Sequence, residues 1–468
     1  MRKLIWPVLL ASCHVVALAD SPVLDSRIQD VLSRIEPAAI QKNVEKLVSF
    51  GTRHTLSDTA SETRGIGAAR RWIQSEMDKC AALSSGRMTV TMDQHTRPAG
   101  GRLLHPVSVV NVVATLKGIT VPEQVLVVSG HYDSRARDVM DANGDAPGAD
   151  DDASGSAAVI AMACAFAPMA WPATLVFMNV AGEEQGLFGA EHWAKLASEK
   201  KRNIIGMVTN DTIGTPLGDQ GQRNDMQVRL FVDGFSPLLK QYLEAQRAST
   251  STDATKDLQE MRRALELIAR SGGIDDTPTN QLGRYLKETA ERYLPGFEVR
   301  LINRPDRFLR GGDHLPFLER GFAAVRFTEP FEDFSHQHQD VRVANGVRIG
   351  DLPEFVDYDY VARVAQANAA GLASLALAPA PPETVGIEIH ELTNDTRLVW
   401  KAPKSELVAA YRIQWRESGS PVWQYGKEVG NSNAFTLKGV SKDNFVFGVA
   451  AVNATGQASL PVFPQPIR

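Results

Sequence analysis

The chain has 468 residues, 43% of them hydrophobic and 22% charged, so it is long enough for two or three globular domains and too apolar to remain disordered. A formal net charge of -5 gives no basic field of the kind a phosphate backbone demands, and nucleic acid is not an expected partner.

Met1, Arg2 and Lys3 precede the apolar stretch Leu4 to Leu10, and Ala17-Leu18-Ala19 stands before Asp20, the layout of a secretory signal peptide over residues 1–19. Leu10-Ala11-Ser12-Cys13 would also suit lipid attachment at Cys13, but the segment after it stays apolar instead of becoming a polar tether. No other stretch approaches the roughly 18 to 20 apolar residues that a membrane span needs. The expected product is therefore exported, without a transmembrane span. Beyond Cys13 only Cys80 and Cys164 remain. Cys164 lies in an apolar helical run and reads as a buried small hydrophobe, with a Cys80 to Cys164 bridge as the alternative.

Ile66, Ala69, Ile73 and Met77 recur at helical spacing with Arg70, Arg71 and Glu76 between them, which predicts an amphipathic helix packed on something apolar. Apolar, β-branched runs follow at Val109 to Leu116, Val125 to Ser129, Leu175 to Val180, Ile204 to Thr209 and Val228 to Val232. Helical patterns at Ser154 to Phe166 and Gly186 to Ala197 separate several of them. Short buried strands alternating with helices predict a three-layer α/β/α sandwich with a mostly parallel central sheet, occupying residues 20–378. Between about 236 and 294 the sequence is charged and helical, and it reads as a helical insertion over one edge of the sheet. Strand-like sequence returns at Val299 to Ile302, and a helix is predicted from Tyr358 to Leu377.

A Pro/Ala run at residues 379–384 reads as a semi-rigid linker and marks a domain boundary. Beyond it, over 385–468, the short alternating runs Arg397 to Trp400, Ala410 to Trp415, Ala434 to Leu437 and Phe445 to Val452 predict a small antiparallel β-sandwich. Trp400, Tyr411-Arg412-Ile413, Leu437-Lys438-Gly439-Val440 and the run from Phe445 to Asn453 followed by Gly456 resemble a fibronectin type III domain. Modules of that kind serve as spacers, caps or surface and matrix contacts.

The chemistry is concentrated before residue 378. The strand ending at Gly130 runs into His131-Tyr132-Asp133-Ser134, which puts His131 and Asp133 two apart at a strand's C-terminal end, where ligands of α/β sheets collect. Gly148-Ala149-Asp150-Asp151-Asp152-Ala153-Ser154-Gly155 then sets three adjacent carboxylates before an apolar helix. Three adjacent carboxylates repel one another and favour a cation, while an N-cap with acidic first-turn residues explains one or two of them, and the cluster by itself leaves the two readings evenly matched. The strand ending at Val180 leads into Ala181-Gly182-Glu183-Glu184-Gln185-Gly186, so that one glutamate can bind metal while its neighbour stays free for proton transfer. Asn210-Asp211 follows another strand, and Gly312-Asp313-His314 and Ser335-His336-Gln337-His338-Gln339-Asp340 lie further on.

Taken in this order, the segments HYDS, GADDDASG, GEEQGLFGA, Asp211, GDHLPF and SHQHQD resemble the zinc-dependent aminopeptidases of family M28, over roughly residues 40 to 378. The resemblance implies two zinc ions per chain, one held by His131, Asp151 and Asp211 and the other by Asp151, Glu184 and His336, with Asp151 shared. It implies Glu183 as general acid and base and Asp133 as the carboxylate that orients His131. His336 is chosen over His338 because the family's ligand stands four residues before an Asp, here Asp340. His314 is expected to be structural or substrate-facing, and His54, His105, His192 and His390 match no ligand position. The implied substrate is a peptide or protein with a free N-terminus, which makes the chain an aminopeptidase. The other readings are a different zinc amidohydrolase, such as a carboxypeptidase or dipeptidase related to family M20 or a glutaminyl cyclase, and an inactive surface-binding protein.

Overall fold

The computed structural model describes residues 24–248 and 254–467, so the expected signal peptide over residues 1–19 and Cys13 lie outside the described residues. Helices α1 (Ser26–Ser33), α2 (Pro37–Val48) and α3 (Gly65–Ala82) open the chain. Strands β1 (Met88–Arg97), β2 (Val107–Leu116) and β3 (Val121–His131) follow, then α4 (Gly155–Phe166), β4 (Ala173–Val180), the single turn α5 (Glu183–Gly186), α6 (Phe188–Glu199), β5 (Asn203–Asn210) and β6 (Gln227–Phe231). Next come α7 (Phe235–Ala248), α8 (Ala254–Arg270), α9 (Pro278–Tyr293), β7 (Glu298–Ile302), α10 (Leu315–Leu318), β8 (Ala324–Thr328), the small hairpin β9 (Arg342–Ala344) and β10 (Val347–Ile349), and α11 (Tyr358–Leu377).

The eight-stranded sheet has the order β1-β2-β4-β3-β5-β8-β6-β7. Its middle, β4-β3-β5-β8, is parallel, as the apolar runs predict. The sheet as a whole is mixed rather than mostly parallel: β1, β2 and β4 pair antiparallel, and β6 runs against β8. The short connection from β1 to β2 produces the first departure, since a tight return can only make antiparallel neighbours. The middle strands are covered on both faces and alternate between two cores. Leu126 and Val128 of β3 and Leu175 and Phe177 of β4 join the cluster under α2, α3, α4, α9 and α11. Val125, Val127, Val176 and Met178 join the opposite cluster with Trp193 of α6 and Phe317 of α10. This is the three-layer arrangement, and it explains why these strands read as continuous apolar runs.

Three further expectations change. The region 236–294 is not an insertion as a whole, because α9 belongs to the sandwich: Leu282, Leu286 and Ala290 are fully buried, and Tyr285 donates to Ser374 of α11 at 2.9 Å. The charged face of α9 hid this stripe, and only α7 and α8 form an outlying pair. Cys80 and Cys164 form a disulfide between α3 and α4, with Cα atoms 4.4 Å apart, instead of leaving Cys164 a simple hydrophobe.

The third concerns the 379–384 run, which does not hold the C-terminal unit at a distance. That unit comprises β11 (Thr384–Glu388), β12 (Thr396–Lys401), β13 (Ala410–Arg416), β14 (Tyr425–Glu428), β15 (Ala434–Leu437), β16 (Val446–Val452) and β17 (Gln465–Ile467). These strands form sheets of order β15-β12-β11-β17 and β14-β13-β16 around Leu398, Trp400, Tyr411, Ile413 and Val449. The unit is docked on α9 and α11. Arg416, 1% exposed, reaches Asp276 at 2.6 Å, and Arg284 takes the other carboxylate oxygen at 3.3 Å. Trp423 N donates to Glu288 at 2.7 Å, and Ser374 donates to Gln457 at 2.6 Å.

Arg416→Ala would leave Asp276 buried with half of its counter-charge, and a loss of about 3 kcal/mol is expected, read as a lower thermal midpoint. A second dependence lies at the β1 edge. His95 stacks on His192 of α6 with ring centroids 4.0 Å apart, and neither of its ring nitrogens has a partner. Burial, with help from His192 and Arg97, pushes its pKa down to about 4. The unfolded imidazole titrates near 6.5, so this contribution is complete above about pH 6.5 and is lost as the pH falls towards 4. His95→Gln should flatten that part of the stability curve in melts between pH 7 and 4.

Candidate metal centre

Strand β3 delivers His131 beside the start of α4 because the two backbones touch: a Cβ on Gly130 would lie 2.5 Å from the carbonyl carbon of Gly155. At this contact His131 N donates to Asp152 at 2.9 Å, and Ser156 donates to the His131 carbonyl at 2.9 Å. The ring of His131 is 1% exposed. Its Nδ1 faces the backbone carbonyl of Asp133 at 3.1 Å, and the Asp133 carboxylate lies at 3.7 Å. Its Nε2 lies 3.1 Å from Asp151 Oδ1 and 3.8 Å from Asp211 Oδ1 and makes no hydrogen bond. Burial opposes the charged imidazole, but the carboxylates of Asp133, Asp151 and Asp211 hold its pKa well above the ordinary value.

The three adjacent aspartates divide their work. Asp152 turns inward and accepts from Gly155 N, the first N–H of α4, at 2.9 Å, although the N-cap position itself is Ser154. Asp150 accepts from Gly214 N at 2.6 Å. Asp151 alone faces the cleft, its own N–H held by Asp351 at 2.8 Å. Its Oδ2 lies 2.7 Å from His338 Nε2 and accepts from Gln337 at 2.8 Å, so one carboxylate stands between two imidazoles. Burial would raise its pKa, yet His338 and His131 hold it well below the usual range.

At the end of β4, Gly182 takes φ 76° and starts α5. The backbone N–H groups of Glu183 and Glu184 both donate to the Asp133 carboxylate, at 3.3 and 3.2 Å, and Thr55 donates to it at 3.0 Å. Asp133 thus ties the end of β3 to the glutamate pair, and its carbonyl rather than its carboxylate is the nearer contact of His131. Glu184 reaches His338 at 3.0 Å and Arg135 at 2.9 Å. Glu183 lines the cleft, and burial is the main reason its pKa lies well above the ordinary carboxylate value. Asp211, at the end of β5, is paired at 2.9 Å with the fully buried Arg326 of β8.

One expected residue is elsewhere. His336 stacks on Phe355 with ring centroids 3.7 Å apart and lies 3.6 Å from Asp333, while His338 takes its place beside Asp151 and Glu184. The chain turns at Asp333, whose carbonyl accepts from His336 N and Gln337 N, and His338 then adopts φ 54°. That left-handed residue swings its own ring into the cleft. His314 is structural, fully buried with Nε2 donating to the Pro305 carbonyl at 2.6 Å. Sequence reasoning did not find Arg135, Arg326 or Asp351, and it gave no role to Gln337 or Asp313. Asp313 is 1% exposed with neither carboxylate oxygen bonded, and burial pushes its pKa up to about 7.

Two sets of ligand atoms therefore converge, His131 with Asp151 and Asp211, and Asp151 with Glu184 and His338, the atoms of each set within 4.8 Å of one another. An unbonded, fully buried imidazole nitrogen facing two carboxylates fits a metal better than it fits a protein-only network. Histidine nitrogen with carboxylate oxygen is the donor chemistry that zinc accepts. Above the two sets lies a cleft of about 650 Å³. His338→Ala is expected to remove one metal ion per chain, measured by elemental analysis of purified protein, and His336→Ala to leave the content unchanged.

Comparison with known proteins gives the family of the chain. The profile described as Peptidase family M28 matches residues 111–264. A probable zinc metalloprotease of Leptosphaeria maculans is 43% identical over 445 residues, covering 95% of this chain and 98% of that protein. A probable zinc metalloprotease of Pyricularia oryzae is also 43% identical, over 98% of this chain and 88% of its own length. Among solved structures, the LapA aminopeptidase of Legionella pneumophila shares the fold at a TM-score of 0.50 and 17% identity, over 76% of this chain and 78% of that one. The chain belongs to peptidase family M28.

Proposed function

We propose that this chain is an exported zinc metalloaminopeptidase that hydrolyses the N-terminal bond of peptides or proteins with two metal ions. The observation that carries the reading is the pair of three-ligand sets sharing Asp151, with Glu183 on the wall of the same cleft. The names of its relatives support the metal and the reaction class. Export rests on the signal-peptide pattern in residues 1–19, and no described helix is long and apolar enough to cross a membrane. The C-terminal strands are read as a fibronectin type III-like module on the residues that resemble one.

Zinc bound in the two sets would supply Lewis acidity, acidifying water and polarising the scissile carbonyl. His131, Asp151, Asp211, Glu184 and His338 would hold it. Asp133 fixes the backbone of Glu183 and Glu184, so that Glu183 keeps its carboxylate on the cleft while Glu184 is drawn to His338. Glu183 takes the proton of the attacking water on a carboxylate oxygen and returns it to the departing amine, which leaves with its bonding pair. Burial of Glu183 raises its proton affinity and suits it to both transfers. The restriction to the first residue comes from the family resemblance.

The test is turnover of unblocked and N-acetylated amino-acid p-nitroanilides by the mature protein, with and without chelator, beside Glu183→Gln. Turnover of unblocked substrates alone, abolished by chelator and reduced by at least about a hundredfold in the variant, is expected. Cleavage of acetylated substrates at similar rates would overturn the aminopeptidase reading.

A further inference from the structure

We propose that the cleft selects substrates carrying a carboxylate close to the scissile bond, and that Arg102 and Arg310 are the residues that recognise it. The inference rests on the peptidase reading and narrows its substrate class.

All four acids that line the cleft, Asp151, Glu183, Glu184 and Asp211, belong to the metal and proton-transfer set. The other charged lining residues are arginines: Arg102, Arg135, Arg307 and Arg310. Two of these are committed. Arg135 holds Glu184 and His338, and Arg307, with 8% of its side chain exposed, is bound to Asp306, Glu332 and the Gly311 carbonyl. The other two are available. Arg102 is anchored by one bond, from its guanidinium to the Glu184 carbonyl at 2.7 Å, and among the described residues it has no carboxylate partner. That bond fixes its position against the turn that carries Glu183. Arg310, with 35% of its side chain exposed, reaches Glu332 at 2.6 Å, but Glu332 also serves Arg229 and Arg307, each at 3.1 Å. One buried carboxylate shared by three guanidinium groups leaves Arg310 under-neutralised.

Leu187, Leu309 and Phe334 supply apolar lining, and Arg310 lies over the Phe334 ring at 5.9 Å from its centroid. Guanidinium groups held beside apolar surface bind carboxylates by paired, charge-assisted hydrogen bonds and repel ammonium groups. The carboxylate has two sources, an acidic side chain in the first residues of the peptide or the C-terminus of a very short peptide.

Three matched comparisons of kcat/KM separate these sources: Glu against Gln p-nitroanilide, Leu-Glu-amide against Leu-Gln-amide and Leu-Lys-amide, and Leu-Ala against Leu-Ala-amide. In at least one comparison the carboxylate member should lead by about tenfold, the factor that 1.4 kcal/mol represents. The lead should shrink towards unity in Arg102→Gln and Arg310→Gln, and Arg102→Glu should turn it in favour of the lysine peptide. Equal rates in all three comparisons, or a lead that survives Arg102→Gln and Arg310→Gln combined, would overturn the proposal. If no unblocked substrate turns over, the peptidase reading has failed separately. Calorimetric binding of the same peptides to Glu183→Gln protein then decides: tighter binding of the carboxylate members supports recognition, and equal binding refutes it.

Discussion

The structure is organised around a crowd of buried carboxylates. Asp133, Asp151, Glu184 and Asp211 are each no more than 5% exposed and gather around two imidazoles, His131 and His338, an arrangement that water would ordinarily screen. The fold compensates them one at a time. Asp133 is neutralised by two backbone N–H groups and a hydroxyl, Asp211 by Arg326, Glu184 by Arg135, and Asp151 by two histidines. Behind them Arg53, fully buried, donates to the carbonyls of Tyr132, Pro147 and Gly148 and braces the loop that carries the aspartates. Desolvation lowers its pKa to about 10, which leaves it charged at neutral pH. Such compensation is incomplete for an empty protein interior, and the unbonded Nε2 of His131 shows where it falls short. Divalent cations at the two ligand sets would complete it.

Sheet topology explains how the crowd assembles. β3 lies between β4 and β5, with α4 packed against one face of the sheet and α6 against the other. The chain leaves β3 for β4 on one side and leaves β5 for β6 on the other, so a crevice opens between the C-terminal ends of β3 and β5. The ends of β3, β4 and β5 contribute His131, the Glu183–Glu184 pair and Asp211 to one place.

Those strand ends were legible because each is a buried apolar run interrupted by residues that an apolar strand would avoid. The same logic failed where the signal is not local. β1 alternates polar and apolar residues along an edge, and β8 is short and carries Arg326 in its middle, so neither stands out as a strand. Arg326 and Arg135 find their partners 115 and 49 positions away, and no spacing rule reaches that far. The family spacing to Asp340 favours His336 over His338, but spacing counts residues and the chain there does not run straight: the turn at Asp333 and the positive φ of His338 bring the second histidine into the cleft instead.

Arg326 also joins the reacting floor to the wall above it. Its guanidinium reaches Asp211 on one side and Asp306 at 3.4 Å on the other, and it donates to the Gly311 carbonyl at 2.9 Å. Asp306 and Gly311 bracket the loop that bears Arg307 and Arg310, and Arg307 is bound to both. Asp211 and the loop are therefore held by a single, fully buried guanidinium fork. The proposed carboxylate recognition and the proposed metal ligation are then two ends of one ion-pair chain, Asp211 to Arg326 to Asp306 to Arg307 to Glu332 to Arg310. Alternating charge along that chain lets each member lower the burial penalty of the next, which is why Arg326, Arg307 and Arg310 can stand so close to a site that would bind cations.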